Sequence, residues 1–134
     1  MALERIVKRF YDELDNGKMM GRKCTRCGAV EFPPVLCCNT CSCMDMEWHE
    51  ISGNAEVTSC FLPAMMSTLP QNEVFQPYAI GAVKLEEGTE FNAFVCGISR
   101  SNLKELRAKM PLPVKARIAP RDGYKMVVFD LVEE

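Results

Sequence analysis

The 134-residue chain carries a formal charge of −2, with 48% apolar and 25% charged residues, the composition of an ordinary globular protein. That length holds one full domain or two very small ones, and so balanced a charge gives no global field to draw the chain onto nucleic acid or an anionic membrane. The longest uncharged stretch, residues 57–72, contains Pro63 and Pro70 and falls short of the roughly 20 apolar residues that cross a bilayer.

The first ten residues lack the apolar run of a signal peptide, so the expected location is the cytoplasm, where thiols stay reduced. Eight cysteines in such a compartment point to metal, not to disulfides. Charge is unevenly spread. Arg5, Lys8, Arg9, Lys18, Arg22, Lys23 and Arg26 hold seven of the sixteen basic residues, and none stands between Cys27 and Val83.

Residues 3–14 are expected to form a helix. Leu3, Ile6, Val7, Phe10, Tyr11 and Leu14 recur at helical spacing as one apolar stripe, with charges on the other face. Asn16-Gly17 supplies the stop, since glycine readily takes the left-handed conformation that ends helices. The stripe either packs on the protein's own core or docks a partner, and the second use is the one predicted.

Residues 20–50 carry six of the eight cysteines among short strand-like pieces. Cys24 and Cys27 form one C-x-x-C pair and Cys38 and Cys41 another, ten residues beyond Gly28. Two such turns brought together offer four thiolates to a tetrahedral ion, and a site closed by four sulfurs leaves no position for water or substrate. Cys37 could replace Cys38, and Cys43 could replace Cys41, but the two-residue spacing favours the first set. Zinc is the expected ion. Iron in a rubredoxin-like site uses similar spacing.

Beyond Gly53 the chain turns β-rich, with strands expected at 55–62, 78–86, 90–96, 113–119 and 124–132. Val114, Ala116 and Ile118 alternate with Lys115 and Arg117, the period of a half-buried strand. Glu87-Gly88 and Asp122-Gly123 read as hairpin turns. A short helix over 102–109, capped by Ser101 or Asn102, falls between the third and fourth strands. Five strands with a helix at that point is the element order of an OB-fold. The expected architecture is mainly β: an N-terminal helix (1–18), a rubredoxin-like zinc ribbon (19–52) and a five-stranded OB-fold barrel (53–134).

Catalytic chemistry finds no foothold. His49 is the single histidine and has no nucleophile near it in sequence, and Cys60 and Cys96 lie in strands, where cysteine behaves as a small hydrophobe. No Gly-rich phosphate loop or nucleophile elbow is present.

Cys24-x-x-Cys27-Gly28 with Phe32-Pro33-Pro34, Cys38-x-x-Cys41 and Trp48-x-Glu50-x-Ser52-Gly53 resembles the zinc ribbon of thiolase-associated accessory proteins. Residues 77–83, Met110-Pro111, Pro113-Val114 and Asp122-Gly123-Tyr124 are similar to that family's OB-fold half. Two positions depart from its pattern: Val35 stands where an arginine is common, and Asn39 where a proline usually follows the third cysteine. The resemblance implies a non-catalytic subunit that accompanies a CoA-dependent, thiolase-type enzyme in a hetero-oligomer and helps shape the acyl-CoA site.

On that reading Lys18, Arg22, Lys23 and Arg26 are the candidates for a CoA phosphate. Partner contacts fall to the helical stripe and to the loop 63–77, with Met65, Met66 and Phe75. Two rivals are a nucleic-acid-binding protein and a rubredoxin-like electron carrier. The first needs a basic, aromatic groove, which the region from Cys27 to Val83 does not supply, so no nucleic-acid partner is expected. The second depends on iron.

Overall fold

The computed structural model describes residues 4–62, 77–121 and 123–132. Leu3, Met65, Met66 and Phe75 lie outside them. The chain divides into two compact units, Met1–Ser52 with Glu87–Thr89, and Gly53–Glu86 with Glu90–Glu134.

In the first unit, helix α1 spans Arg5–Asp15. It begins at Arg5 because the Glu4 carboxylate accepts from the backbone N–H of Ile6 (2.9 Å) and of Val7 (3.4 Å), taking up amides that a helix start leaves unpaired. It ends where Gly17 takes φ 81°. The N–H of Lys18 then reaches back to Glu13 O and that of Gly17 to Leu14 O, a left-handed C-terminal cap. The apolar stripe is only partly free. Leu14 is fully buried, and the Phe10 ring meets Phe32 edge-on at 5.8 Å between centroids. Val7 remains 39% exposed.

Three antiparallel strands follow: β1 (Met20–Cys24), β2 (Val30–Glu31) and β3 (Met46–Glu50), in the order β2-β1-β3. Arg22 stands opposite Glu31 on one side and Trp48 on the other. The residues Glu87–Thr89 join this unit: Glu87 accepts from the Ser52 N–H (3.0 Å) and Thr89 donates to Val30 O.

The second unit is a closed barrel. Its strands are β4 (Asn54–Phe61), β5 (Tyr78–Leu85), β6 (Glu90–Cys96), β7 (Leu112–Arg121) and β8 (Tyr124–Leu131). Their order is β4-β5-β6-β8-β7, with β7 returning to pair with β4. That topology, with helix α2 (Leu103–Lys109) between β6 and β7, is the OB-fold. Val57, Val83, Leu85, Val95, Val114, Val128 and Phe129 are buried.

In β7 the expected alternation holds from Val114, which is buried, to Ile118, with Lys115 and Arg117 exposed. It slips at Ala119, which is buried in a separate cluster with Tyr78 and Val128. β4 carries a bulge between Val57 and Ser59. The cap of α2 is Asn102, but its side chain serves the preceding turn: Oδ1 accepts from the Ser99 N–H (2.8 Å) and Nδ2 donates to Gly97 O (3.0 Å). From α2, Arg107 donates through Nε (3.0 Å) and Nη2 (2.7 Å) to Cys60 O, tying the helix to β4.

Candidate metal centre

Strand β1 ends on Cys24, and the chain then turns tightly: the Gly28 N–H donates to Cys24 O (3.0 Å) and the Cys24 N–H to Ala29 O (2.9 Å). The second pair repeats this turn. The Ser42 N–H donates to Cys38 O (2.9 Å) and the Cys38 N–H to Cys43 O (2.9 Å). Each turn needs a left-handed residue just after its second cysteine, Gly28 at φ 79° and Ser42 at φ 64°. Backbone N–H groups also point at sulfur, from Cys27 to Cys24 Sγ (3.4 Å) and from Thr40 to Cys38 Sγ (3.3 Å).

The two turns bring the Sγ atoms of Cys24, Cys27, Cys38 and Cys41 within 4.8 Å of one another. Cys24 and Cys41 are 3.5 Å apart, and Cys27 and Cys38 3.6 Å. A tetrahedral ion with bonds of about 2.3 Å to sulfur has sulfur–sulfur edges of about 3.8 Å, so the set fits such an ion. Cys37 and Cys43 fall outside the set. Cys43 packs beside it and accepts from the Asp45 N–H (3.4 Å).

Protons are unequally held across the four thiols. The Cys27 backbone N–H brings Cys24 down to about 6 despite burial, and the Cys41 backbone lowers Cys38 likewise. At Cys41 the Cys43 backbone acts downward, but burial and the Cys24, Cys27 and Cys38 thiols outweigh it and push the group up to about 12. Cys27 is raised: the Ala29 backbone acts downward, and burial with the Cys38 and Cys24 thiols outweighs it. Each short edge thus joins a lowered thiol to a raised one. A divalent cation is what lets all four ionise together.

Two neighbours hold the turns in place. Glu31 accepts from both the backbone N–H and Nδ2 of Asn39, each at 3.2 Å. A proline there, the commoner choice in the resembled family, could make neither bond. The Arg22 guanidinium donates through Nη1 to Val35 O (3.0 Å) and Leu36 O (3.4 Å) and through Nη2 to Met46 O (2.9 Å). These bonds strap the second turn and β3 to β1.

The four basic residues proposed for a CoA phosphate do not share one element. Arg22 is committed to those carbonyls. Lys23 is the next residue on β1 and points to the other face, Lys18 follows α1, and Arg26 sits in the first cysteine turn. Arg22 also lines a groove of about 450 Å³ with Arg5, Arg9 and Trp48. Helical spacing could have paired Arg5 with Arg9, but the approach of Trp48 has no local sequence signal.

Known proteins share this architecture. A solved chain titled "Ltp2-ChsH2(DUF35) aldolase" superposes with a TM-score of 0.74 at 23% identity, over 98% of both chains. A DUF35-family protein of unknown function from Sulfolobus solfataricus gives 0.59 at 18% identity, over 96% of this chain and 86% of that one. These likenesses establish the fold. A curated relative from Thermomonospora curvata, named "Probable enoyl-CoA hydratase alpha subunit", is 24% identical over 104 residues, which is 77% of this chain but 31% of that protein. The family described as "ChsH2, C-terminal OB-fold domain" matches residues 48–118. With more than half of its length in that match, the chain belongs to the ChsH2 C-terminal OB-fold domain family.

Proposed function

We propose that this protein is a non-catalytic accessory subunit of a thiolase-type, acyl-CoA-processing enzyme complex. The observation that carries the reading is the end-to-end likeness, over 98% of both chains, to a chain whose title names an Ltp2-ChsH2 aldolase. The curated relative's name, an enoyl-CoA hydratase subunit, supports the same class of substrate. Among the described residues the four-cysteine set is the one metal-ligating group, and its ion would be zinc. With four sulfur ligands such an ion has no open position, so its contribution is folding energy and not Lewis-acid chemistry. Catalytic groups would then come from the partner. The subunit would work in the cytoplasm, where the thiols stay reduced until metal binds.

Docking falls to the outer part of the α1 stripe, Ile6 and Val7, because Leu14 and Phe10 are used inside the protein. The test is affinity purification from the native host, followed by assay. A thiolase-like subunit should co-purify, the complex should turn over an acyl-CoA, and the isolated chain should not. Turnover by the isolated chain, or purification with no acyl-CoA enzyme, sinks the reading.

A further inference from the structure

The groove over Trp48 collects positive charge that the fold leaves uncompensated. Arg5 and Arg9, one turn apart on α1, line it together with Arg22, Ile6, Leu36 and Met44. Like charges at that helical spacing repel. Among the described residues no carboxylate forms an ion pair with either arginine, although Lys8 pairs with Asp12 at 2.7 Å. Glu13 stands one turn beyond Arg9 at the spacing that favours a pair. The Arg9 guanidinium instead lies over the Trp48 ring, 4.8 Å from its centroid, and that of Arg22 lies over the same ring at 5.5 Å.

The helix is also charged against its own dipole. Arg5, Lys8 and Arg9 occupy its N-terminal half and Asp12, Glu13 and Asp15 its C-terminal half, whereas helices favour the reverse. The one acid at the N-terminus, Glu4, is occupied in capping. An anion in the groove relieves both conflicts at once.

We propose that this groove binds a phosphorylated small molecule through Arg5 and Arg9. Guanidinium forks match phosphate oxygens in pairs. Arg22 adds charge at close range while its Nη1 and Nη2 stay on the carbonyls of Val35, Leu36 and Met46. Leu36, 60% exposed, and Met44, 67% exposed, give the apolar rim for the organic part. A second groove, on the barrel, gathers Glu56, Lys84 and Glu86, a mixture of signs that has no such preference.

Two sources share this chemistry: the nucleotide end of a coenzyme thioester, which rests on the accessory-subunit reading, and free inorganic diphosphate, which does not. Trp48 is the single tryptophan, so intrinsic fluorescence reports on the groove directly. The full zinc-loaded chain is titrated with CoA and with inorganic pyrophosphate, and calorimetry is run in parallel.

Both ligands should bind, more weakly as salt rises. CoA tighter by about tenfold or more assigns the coenzyme source, and equal affinity assigns free phosphate. The double variant Arg5→Ala/Arg9→Ala should weaken binding by at least about tenfold with zinc content and melting unchanged, and Arg5→Lys/Arg9→Lys should recover part of it.

Unaltered binding by the alanine variant overturns the proposal, as does silence toward both ligands. So does capture of a glutamate-rich peptide when neither phosphate ligand binds. If a phosphate ligand binds but no acyl-CoA enzyme co-purifies, the groove stands and the accessory role falls. If the enzyme co-purifies and neither ligand binds, the groove alone falls.

Discussion

Gly28 and Ser42 occupy the same position in two repeated cysteine turns, at φ 79° and φ 64°, yet one is glycine and the other is not. A side chain in the left-handed region costs about 1–2 kcal/mol, while glycine loosens the unfolded chain by about 0.4–1 kcal/mol. Ser42→Gly should therefore leave stability unchanged or raise it by up to about 1.6 kcal/mol. Gly28→Ala should cost up to about 1.6 kcal/mol, the strain less what a stiffer unfolded chain returns, because nothing lies within 4 Å of the new Cβ to add a clash. Thermal melts of the zinc-loaded variants decide both. A Gly28→Ala protein more stable than its parent contradicts the account.

One zinc per chain is expected by elemental analysis. Structural zinc is worth about 10–16 kcal/mol in small peptides, as much as a typical domain's whole stability of about 5–15 kcal/mol. Serine at Cys24, Cys27, Cys38 or Cys41 should abolish metal retention and unfold the ribbon. Cys37→Ser and Cys43→Ser should keep it. Iron in the purified protein, with visible absorbance, contradicts the assignment.

Arg22→Ala should lower stability by about 1.5–3 kcal/mol, the worth of a hydrogen bond to a charged group, since three carbonyls lose their donor. Arg22→Lys has one ammonium for all three and should recover only part. Reversing Arg22 and Lys23 together would loosen the ribbon whether or not either contacts CoA, so Lys23→Glu alone is the clean test of a phosphate contact. Urea melts of the Arg22 variants, read against zinc retention, separate strap from ligand site.

Partner release should follow Val7→Asp with α1 and the ribbon still folded, because Val7 is exposed. Leu14→Asp should instead destabilise α1 itself, since it buries a charge without a partner. Pull-down and circular dichroism on both variants check this. A Val7→Asp protein that keeps its partner moves the docking site elsewhere.

With metal bound, Cys37 should react with a thiol reagent before Cys60 and Cys96. Burial pushes the Cys60 thiol up, the Arg107 guanidinium opposing it. Burial, with the Asp130 carboxylate, does the same to Cys96, against Arg117. The thiolate is the reactive form, so raised values mean slow labelling near neutrality that quickens as pH climbs. Mass mapping of partly alkylated protein across pH reads the order.

The barrel was largely legible in the sequence because its signals are local. Alternation at Val114, Ala116 and Ile118, turn residues and one short helix mark elements within a few positions, and the structure places β7 at Leu112–Arg121 and β8 at Tyr124–Leu131. The cysteine spacing likewise singled out the four sulfurs that the fold brings together. What escaped is long-range. Arg22 bonds to carbonyls 13, 14 and 24 residues away, and no periodicity announces such a strap. Basic residues close in sequence looked like one patch, but strand pleating separates Arg22 from Lys23 and tertiary packing draws Arg22 towards Arg5 and Arg9. The helical stripe showed its hydrophobic face but not how much of it the protein keeps for itself, because Phe32 is 22 positions from Phe10.

The closed barrel has one short seam. β6 and β8 run parallel and register only as Val95 with Phe129 and Cys96 with Asp130, whereas β7 and β8 register over eight positions and β5 and β6 over seven. Every barrel strand has two neighbours, but along β6 and β8 the second neighbour is met at these two positions alone. Opening must therefore begin where the fewest bonds break. Amide hydrogens along β6 and β8 that cross this seam should exchange with solvent ahead of those shared by β7 and β8, and the barrel should unzip there while its hairpins stay paired.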